Sequence, residues 1–135
     1  MKKFTVLGHS TPQGSMTPMR SKSTGAMINK PRKNLLPWRN DVGREAMIAR
    51  VPCIERDTAV EIELTFYFQR PKSVKREEMT VPPDIDKLER AILDALKSIA
   101  FVDDAQVVKV TKEKLYGTPE RVEISVGPKQ KTNLT

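Results

Sequence analysis

The chain has 135 residues, 38% of them hydrophobic and 30% charged, which suits one globular domain with one ordinary core. Its longest apolar runs are a few residues, such as Ala91-Ile92-Leu93, so no segment spans a bilayer, and the apolar stretch after Lys2-Lys3 is too short for a secretory signal. A single cysteine, Cys53, and a single histidine, His9, exclude an intrachain disulfide, a thiolate metal cage and a Ser-His-Asp arrangement. The expectation is an intracellular domain over residues 1–135 whose chemistry rests on oxygen ligands.

The formal net charge is +7, and its distribution is uneven. Residues 1–50 hold ten Lys or Arg against two acids, Asp41 and Glu45, whereas the remainder holds fourteen basic and fifteen acidic residues. Net charge alone keeps a protein soluble. The absence of any acid before Asp41 favours instead a surface that tracks phosphate, with Lys22, Lys30, Arg32, Lys33 and Arg39 as candidate DNA contacts.

Phe4 to Gly8 reads as a short opening strand. Residues 9 to 34 are Ser, Thr, Pro, Gly, Met and basic residues without period, so a long irregular segment facing nucleic acid is expected. Leu36 to Val51 reads as a helix: Pro37 suits its first turn, and Trp38, Val42, Ala46 and Ala49 form an apolar stripe. That spacing places Trp38 in the core. Cys53 reads as a small buried apolar residue or a bystander, and His9 as a contact to solvent or phosphate. From Thr58 to Phe68, Val60, Ile62, Leu64, Phe66 and Phe68 alternate with polar residues and Tyr67, the clearest strand in the chain. Residues 70 to 83 form a charged connection punctuated by Pro71, Pro82 and Pro83.

A second helix is expected from about Asp86 to Ile99, with Leu88, Ile92, Ala95 or Leu96, and Ile99 on one face. Val107, Val108 and Val110 open a strand toward Leu115, and Gly117 with Pro119 marks a turn. Val122, Ile124 and Val126 then alternate as a closing strand before a polar tail at about 128–135. The order strand, helix, strand, helix, strand, strand implies an α/β (α+β) domain: a small mixed four-stranded sheet covered by two helices.

Four acids carry the functional signal: Asp84, Asp86, Asp103 and Asp104. Inside a helix, positions two apart point about 200° away from each other, whereas extended backbone puts both on one side. Pro82-Pro83 holds the approach out of the helix, and Asp86-Lys87-Leu88-Glu89 has capping-box spacing, so the helix is expected to start at Asp86 with Asp84 and Asp86 convergent. Taken alone, such acids are a cap and a solvated carboxylate favoured by the helix dipole. Asp103-Asp104 beyond the same helix makes two acidic clusters, a set suited to Mg²⁺, which takes carboxylate, water and phosphate oxygens. Asp94, eight residues past Asp86, could support such a site or simply be solvated.

Pro83-Asp84-Ile85-Asp86-Lys87-Leu88, Leu93-Asp94-Ala95-Leu96 and Phe101-Val102-Asp103-Asp104-Ala105-Gln106-Val107 together resemble the signature of the RusA-type Holliday junction resolvases. The Pro12-Gln13-Gly14 loop with basic residues after it is similar too. The resemblance implies a small homodimer of the bacterial or phage-infected cytoplasm that resolves four-way DNA junctions by paired symmetric nicks, in recombination and repair or phage DNA processing. It implies Mg²⁺, with Mn²⁺ as substitute, and places the metal-binding and catalytic aspartates at Asp84, Asp86 and Asp104. Members of that family carry Asn directly after the Asp-x-Asp, where this chain has Lys87, and a functional Lys four residues after the second aspartate, where it has Arg90. Either cation would stabilise phosphate charge, but Arg90 cannot give up a proton near neutral pH; an i to i+4 pair with Asp86 or Asp94 is its other use. A non-catalytic basic nucleic-acid-binding module is the alternative from another class.

Overall fold

The computed structural model of the chain describes residues 1–14 and 33–131 in full and the backbone alone of 17–20 and 27–30. Lys22, Arg32 and the last part of the tail, 132–135, lie outside the described residues. The elements are β1 (Lys2–Leu7), β2 (Thr17–Arg20), β3 (Met27–Lys30), α1 (Leu35–Ile48), β4 (Val60–Phe68), α2 (Ile85–Leu96), β5 (Val107–Tyr116) and β6 (Arg121–Pro128).

The period-two pattern of β4 becomes its two faces. Val60, Ile62, Leu64, Phe66 and Phe68 are each at most 2% exposed, and Val122, Ile124 and Val126 of β6 join them in the core. The alternate residues Glu63, Thr65, Glu123 and Thr111 face away from it. Both helices therefore cover one face. The sheet order is β1-β6-β4-β5, with β6 antiparallel to β1 and β4, and β4 parallel to β5. The main sheet and its two helices match the expected mixed α+β architecture and element order.

On α1 the stripe Leu35, Trp38, Val42 and Ala46 is buried, and on α2 it is Leu88, Ala91, Ile92, Ala95 and Leu96. Gly43 lets the helices approach: a Cβ there would meet Ile99 Cδ1 at 3.2 Å and the Ala95 carbonyl oxygen at 3.7 Å. Trp38 sits in the core at 4% exposure, as its spacing predicts, whereas Cys53 is exposed rather than buried.

Three local expectations need correction. The segment read as irregular contains a two-stranded antiparallel ribbon, β2–β3, with Thr17 opposite Lys30 and Arg20 opposite Met27. Four-residue strands paired by backbone alone need no apolar alternation, and Pro18 within one of them hides the signal further. The cap of α2 is Asp84, not Asp86, because Glu89 turns to Lys112 at 3.0 Å instead of returning to the helix start. The same helix stops at Leu96 rather than Ile99, since Lys97 is extended and Ser98 takes φ 72°, a conformation outside any right-handed helix.

Gln106 closes the end of the sheet where β4 and β5 begin. It is 6% exposed. Its Nε2 donates to the Glu55 and Thr58 carbonyls at 2.6 and 3.1 Å, and its Oε1 accepts the Val102 and Asp103 N–H groups at 2.7 and 2.9 Å. Removing the amide leaves buried backbone groups unpaired, each costing about 1–3 kcal/mol. Gln106→Leu, which keeps most of the volume, therefore lowers unfolding free energy by at least about 1 kcal/mol in urea titrations; unchanged stability would show that water replaces these bonds freely.

Candidate active site

Helix α2 runs opposite to its neighbours β4 and β5, so its two ends lie at opposite ends of the sheet. Lys114, near the end of β5, reaches the segment just before α2, while Asp104, just before β5, comes after the end of α2. Seven residues of β5 separate Val107 from Lys114, about 23 Å at ~3.3 Å per residue. The acids before α2 and those after it are thus roughly 20 Å apart within one chain, about the length of the helix itself.

At the first end, Asp84 caps α2 with extended backbone (φ −71°, ψ 139°). Its carbonyl accepts the Lys87 and Leu88 N–H groups at 3.2 and 3.1 Å, but its carboxylate makes no capping bond. Asp86 lies in the first turn, and both acids are exposed. Lys87 Nζ stands 3.7 Å from an Asp84 carboxylate oxygen. Unpaired N–H groups at a helix start carry partial positive charge, which favours both acids in ionised form.

The backbone leading to Asp84 is held from β5. Lys114 Nζ donates to the Val81 carbonyl at 2.6 Å and to the Pro83 carbonyl at 2.9 Å. Pro82 and Pro83 have no N–H to offer in return, so the lysine satisfies acceptors that no local turn serves. His9, Pro12, Pro83, Asp84 and Lys87 border a hollow of about 420 Å³ beside the cap.

The N-terminal loop is tied to the same helix. Gln13 donates its backbone N–H to the Lys87 carbonyl at 2.9 Å and its side-chain amide to the Asp94 carboxylate. Gly14 comes next at φ 123°, and a Cβ there would lie 2.8 Å from an Arg90 guanidinium nitrogen. Lys87 and Arg90 therefore flank the point from which the basic segment departs. Asp94 serves this loop rather than an ion pair with Arg90.

Glu120 binds the neighbouring loops to this end: it accepts the Gln69 N–H at 3.0 Å and meets His9 Nδ1 at 2.9 Å. Partial burial raises its pKa, but those two hydrogen bonds and the histidine outweigh it and hold the carboxyl below its ordinary value. His9 also stands edge-on to Phe68, ring centroids 5.3 Å apart, so its contacts are internal.

At the far end the two adjacent acids differ. Asp103 accepts the Ala105 N–H at 2.9 Å and caps the short 3-10 helix Asp104–Gln106, with Arg56 3.7 Å away. Asp104 is exposed and makes no hydrogen bond or ion pair among the described residues. No group of three or more His, Cys, Asp or Glu side chains close enough to hold a metal ion occurs among the described residues. One chain brings Asp84 and Asp86 together at a helix start and leaves Asp104 at the other end.

Of the candidate DNA contacts, Lys33 is exposed before α1. Arg39 is half-buried in the groove between α1 and α2, its Nε without a partner. Lys30 ends β3. The anchoring roles of Lys114 and Gln13 escape sequence reasoning: a lysine alternating along a strand looks like any solvent-facing position, and its partners lie 31 and 33 residues away.

Among known proteins, the family model for "Endodeoxyribonuclease RusA" matches residues 10–127. A protein of Bacillus subtilis (strain 168), "Uncharacterized protein YqaN", is 32% identical over 79 residues, half of this chain. That match spans 56% of the relative's own length.

Two hydrogen bonds from a charged donor to an otherwise unserved turn predict a measurable cost. Lys114→Met, which keeps the aliphatic stem, lowers stability by about 1–3 kcal/mol and exposes residues 81–84 to faster amide hydrogen exchange. Exchange at wild-type rates would mean that the prolines alone hold this turn.

Proposed function

The chain belongs to the RusA endodeoxyribonuclease family, and from that premise we propose that it resolves four-way (Holliday) DNA junctions by paired symmetric nicks, using Mg²⁺ or Mn²⁺. The observation that carries this reading is the pair of exposed carboxylates at the start of α2, free of capping bonds and set against basic residues. Acids needed only for folding would be capped or paired, as Asp103 is.

The donor set fits a hard divalent cation, which takes carboxylate oxygens and keeps positions for water and phosphate. Asp84, Asp86 and Asp104 would hold it. Bound there, the metal polarises the scissile phosphate and acidifies the attacking water. Lys87 or Arg90 stabilises charge developing on the phosphate, and the helix start adds its N–H dipoles. Lys30, Lys33 and Arg39, with Lys22 and Arg32, would bring the polyanion to a site whose bare carboxylates repel it.

Because Asp104 lies at the far end of α2, the ligand set closes when a second copy supplies it. In our reading a two-fold homodimer sets the partner's Asp104 beside Asp84 and Asp86. A two-fold contact is isologous, so it forms twice and yields two sites, as paired nicks require. Leu36, Met47 and Ile48, 64–67% exposed along α1, rim a groove of about 650 Å³ against α2; that apolar surface is the one we assign to the contact. The substrate suggests a role in recombination and repair or phage DNA processing, in the bacterial or phage-infected cytoplasm.

Cleavage of a synthetic four-way junction tests this. Asp84→Asn, Asp86→Asn and Asp104→Asn each reduce Mg²⁺-dependent cleavage by at least about 100-fold, equivalent to about 2.7 kcal/mol, while junction binding stays equal or tightens. Asp103→Asn is milder in cleavage and costs stability through its lost cap. Parallel loss of binding and cleavage, or full activity in all three variants, would favour the non-catalytic binding module.

A further inference from the structure

The positive charge assigned to DNA contact so far belongs to the first fifty residues, but the structure exposes a second concentration of it. Between β4 and Asp84 the chain passes through Arg70-Pro71-Lys72-Ser73-Val74-Lys75-Arg76, four cations with no acid before Glu77. Acids elsewhere in residues 51–135 cancel this group in any count over that half. All four cations are exposed. They stand at the end of the sheet where β4 and β5 finish, the end that carries Asp84 and Asp86.

This connection is anchored at several points. Val74 N–H closes a turn on the Pro71 carbonyl at 3.0 Å. Arg76 Nε donates to the Tyr116 hydroxyl at 3.1 Å, with its guanidinium carbon 6.0 Å from the ring centroid. Arg70 Nη1 reaches back to the Arg76 carbonyl at 3.5 Å, and Lys114 holds Val81 and Pro83 at the foot of the segment. Lys72 and Lys75, at the tip, make no hydrogen bond or ion pair among the described residues. Anchored backbone with unpaired ammonium groups at its tip suits contact with a phosphate backbone, because little ordering is left to offset on binding.

We propose that residues 70–76 form a DNA-backbone contact, gripping the duplex arm next to the phosphate that is cut; this rests on Asp84 and Asp86 being the active site. Lys72 and Lys75 meet phosphates directly. Tyr116 acts through Arg76, as a positioning residue. The contact reads no bases, so it strengthens binding to junctions and to plain duplex alike.

The test is a salt titration of junction and duplex binding in EDTA, comparing wild type with Lys72→Gln/Lys75→Gln. Two lost phosphate contacts flatten the slope of log affinity against log salt by about 1.8. Lys2→Gln/Lys97→Gln, which removes the same charge at the opposite end of the sheet, leaves the slope at its wild-type value. A wild-type slope for the Lys72/Lys75 variant, or equal flattening in both variants, would overturn the proposal. Because binding is read without divalent metal, a failure of the active-site reading appears instead as undiminished cleavage by Asp86→Asn, not in this slope.

Discussion

Two parallel neighbouring strands cannot be joined by a turn. The chain leaves β4 at one end of the sheet and must travel its full length before β5 can start. Here that return is α2, and it therefore runs antiparallel to both strands. The segments on either side of the helix are separated by its length, whatever their closeness in sequence. Asp84 and Asp104, twenty positions apart, stand at opposite ends of the domain for this reason. The apolar stripe Leu88, Ala91, Ile92, Ala95 and Leu96 fixes the helix against the sheet, so the separation is not a matter of loop posture.

That constraint shapes the electrostatics as well. A polyanion approaching the Asp84 end meets two exposed carboxylates, which alone would repel it. The same end gathers compensating charge from three directions: the start of α2, Lys87 and Arg90 beside the Gln13 loop, and the cations of residues 70–76. At the opposite end Asp103 is used for capping and Gln106 for closing the sheet, so Asp104 alone is left over. Structural and chemical duties fall on different residues of an adjacent acidic pair.

Much of the fold was legible because burial writes itself into period. Alternation along Val60–Phe68 and Val122–Val126 gave strands with the correct inward faces, and the stripes around Val42 and Ile92 gave the helices. Features that period does not encode were missed. The β2–β3 ribbon carries no alternating apolar face. The cap moved from Asp86 to Asp84 because Glu89 found a partner in Lys112 on another strand, a competition invisible from local spacing. At the candidate site, Asp84-Ile85-Asp86 and Asp103-Asp104 were readable as chemistry, since four acids around an apolar helix are unusual. Lys114 was not, because its role is set by two carbonyls on a distant loop. Nor did the sequence show that one chain divides the acids between two ends.

In the proposed dimer one copy supplies Asp84 and Asp86 and another supplies Asp104. Mixing Asp86→Asn protein with Asp104→Asn protein, after subunit exchange, tests this directly. In a mixed dimer with shared sites, both defects fall in one site and the other is intact. Half of the dimers are mixed and each has one working site of two, so nicking returns to about one quarter of the wild-type rate, confined to one strand per junction. A mixture as inactive as either variant alone, with exchange confirmed, would mean that each site is built within a single chain and would contradict the account.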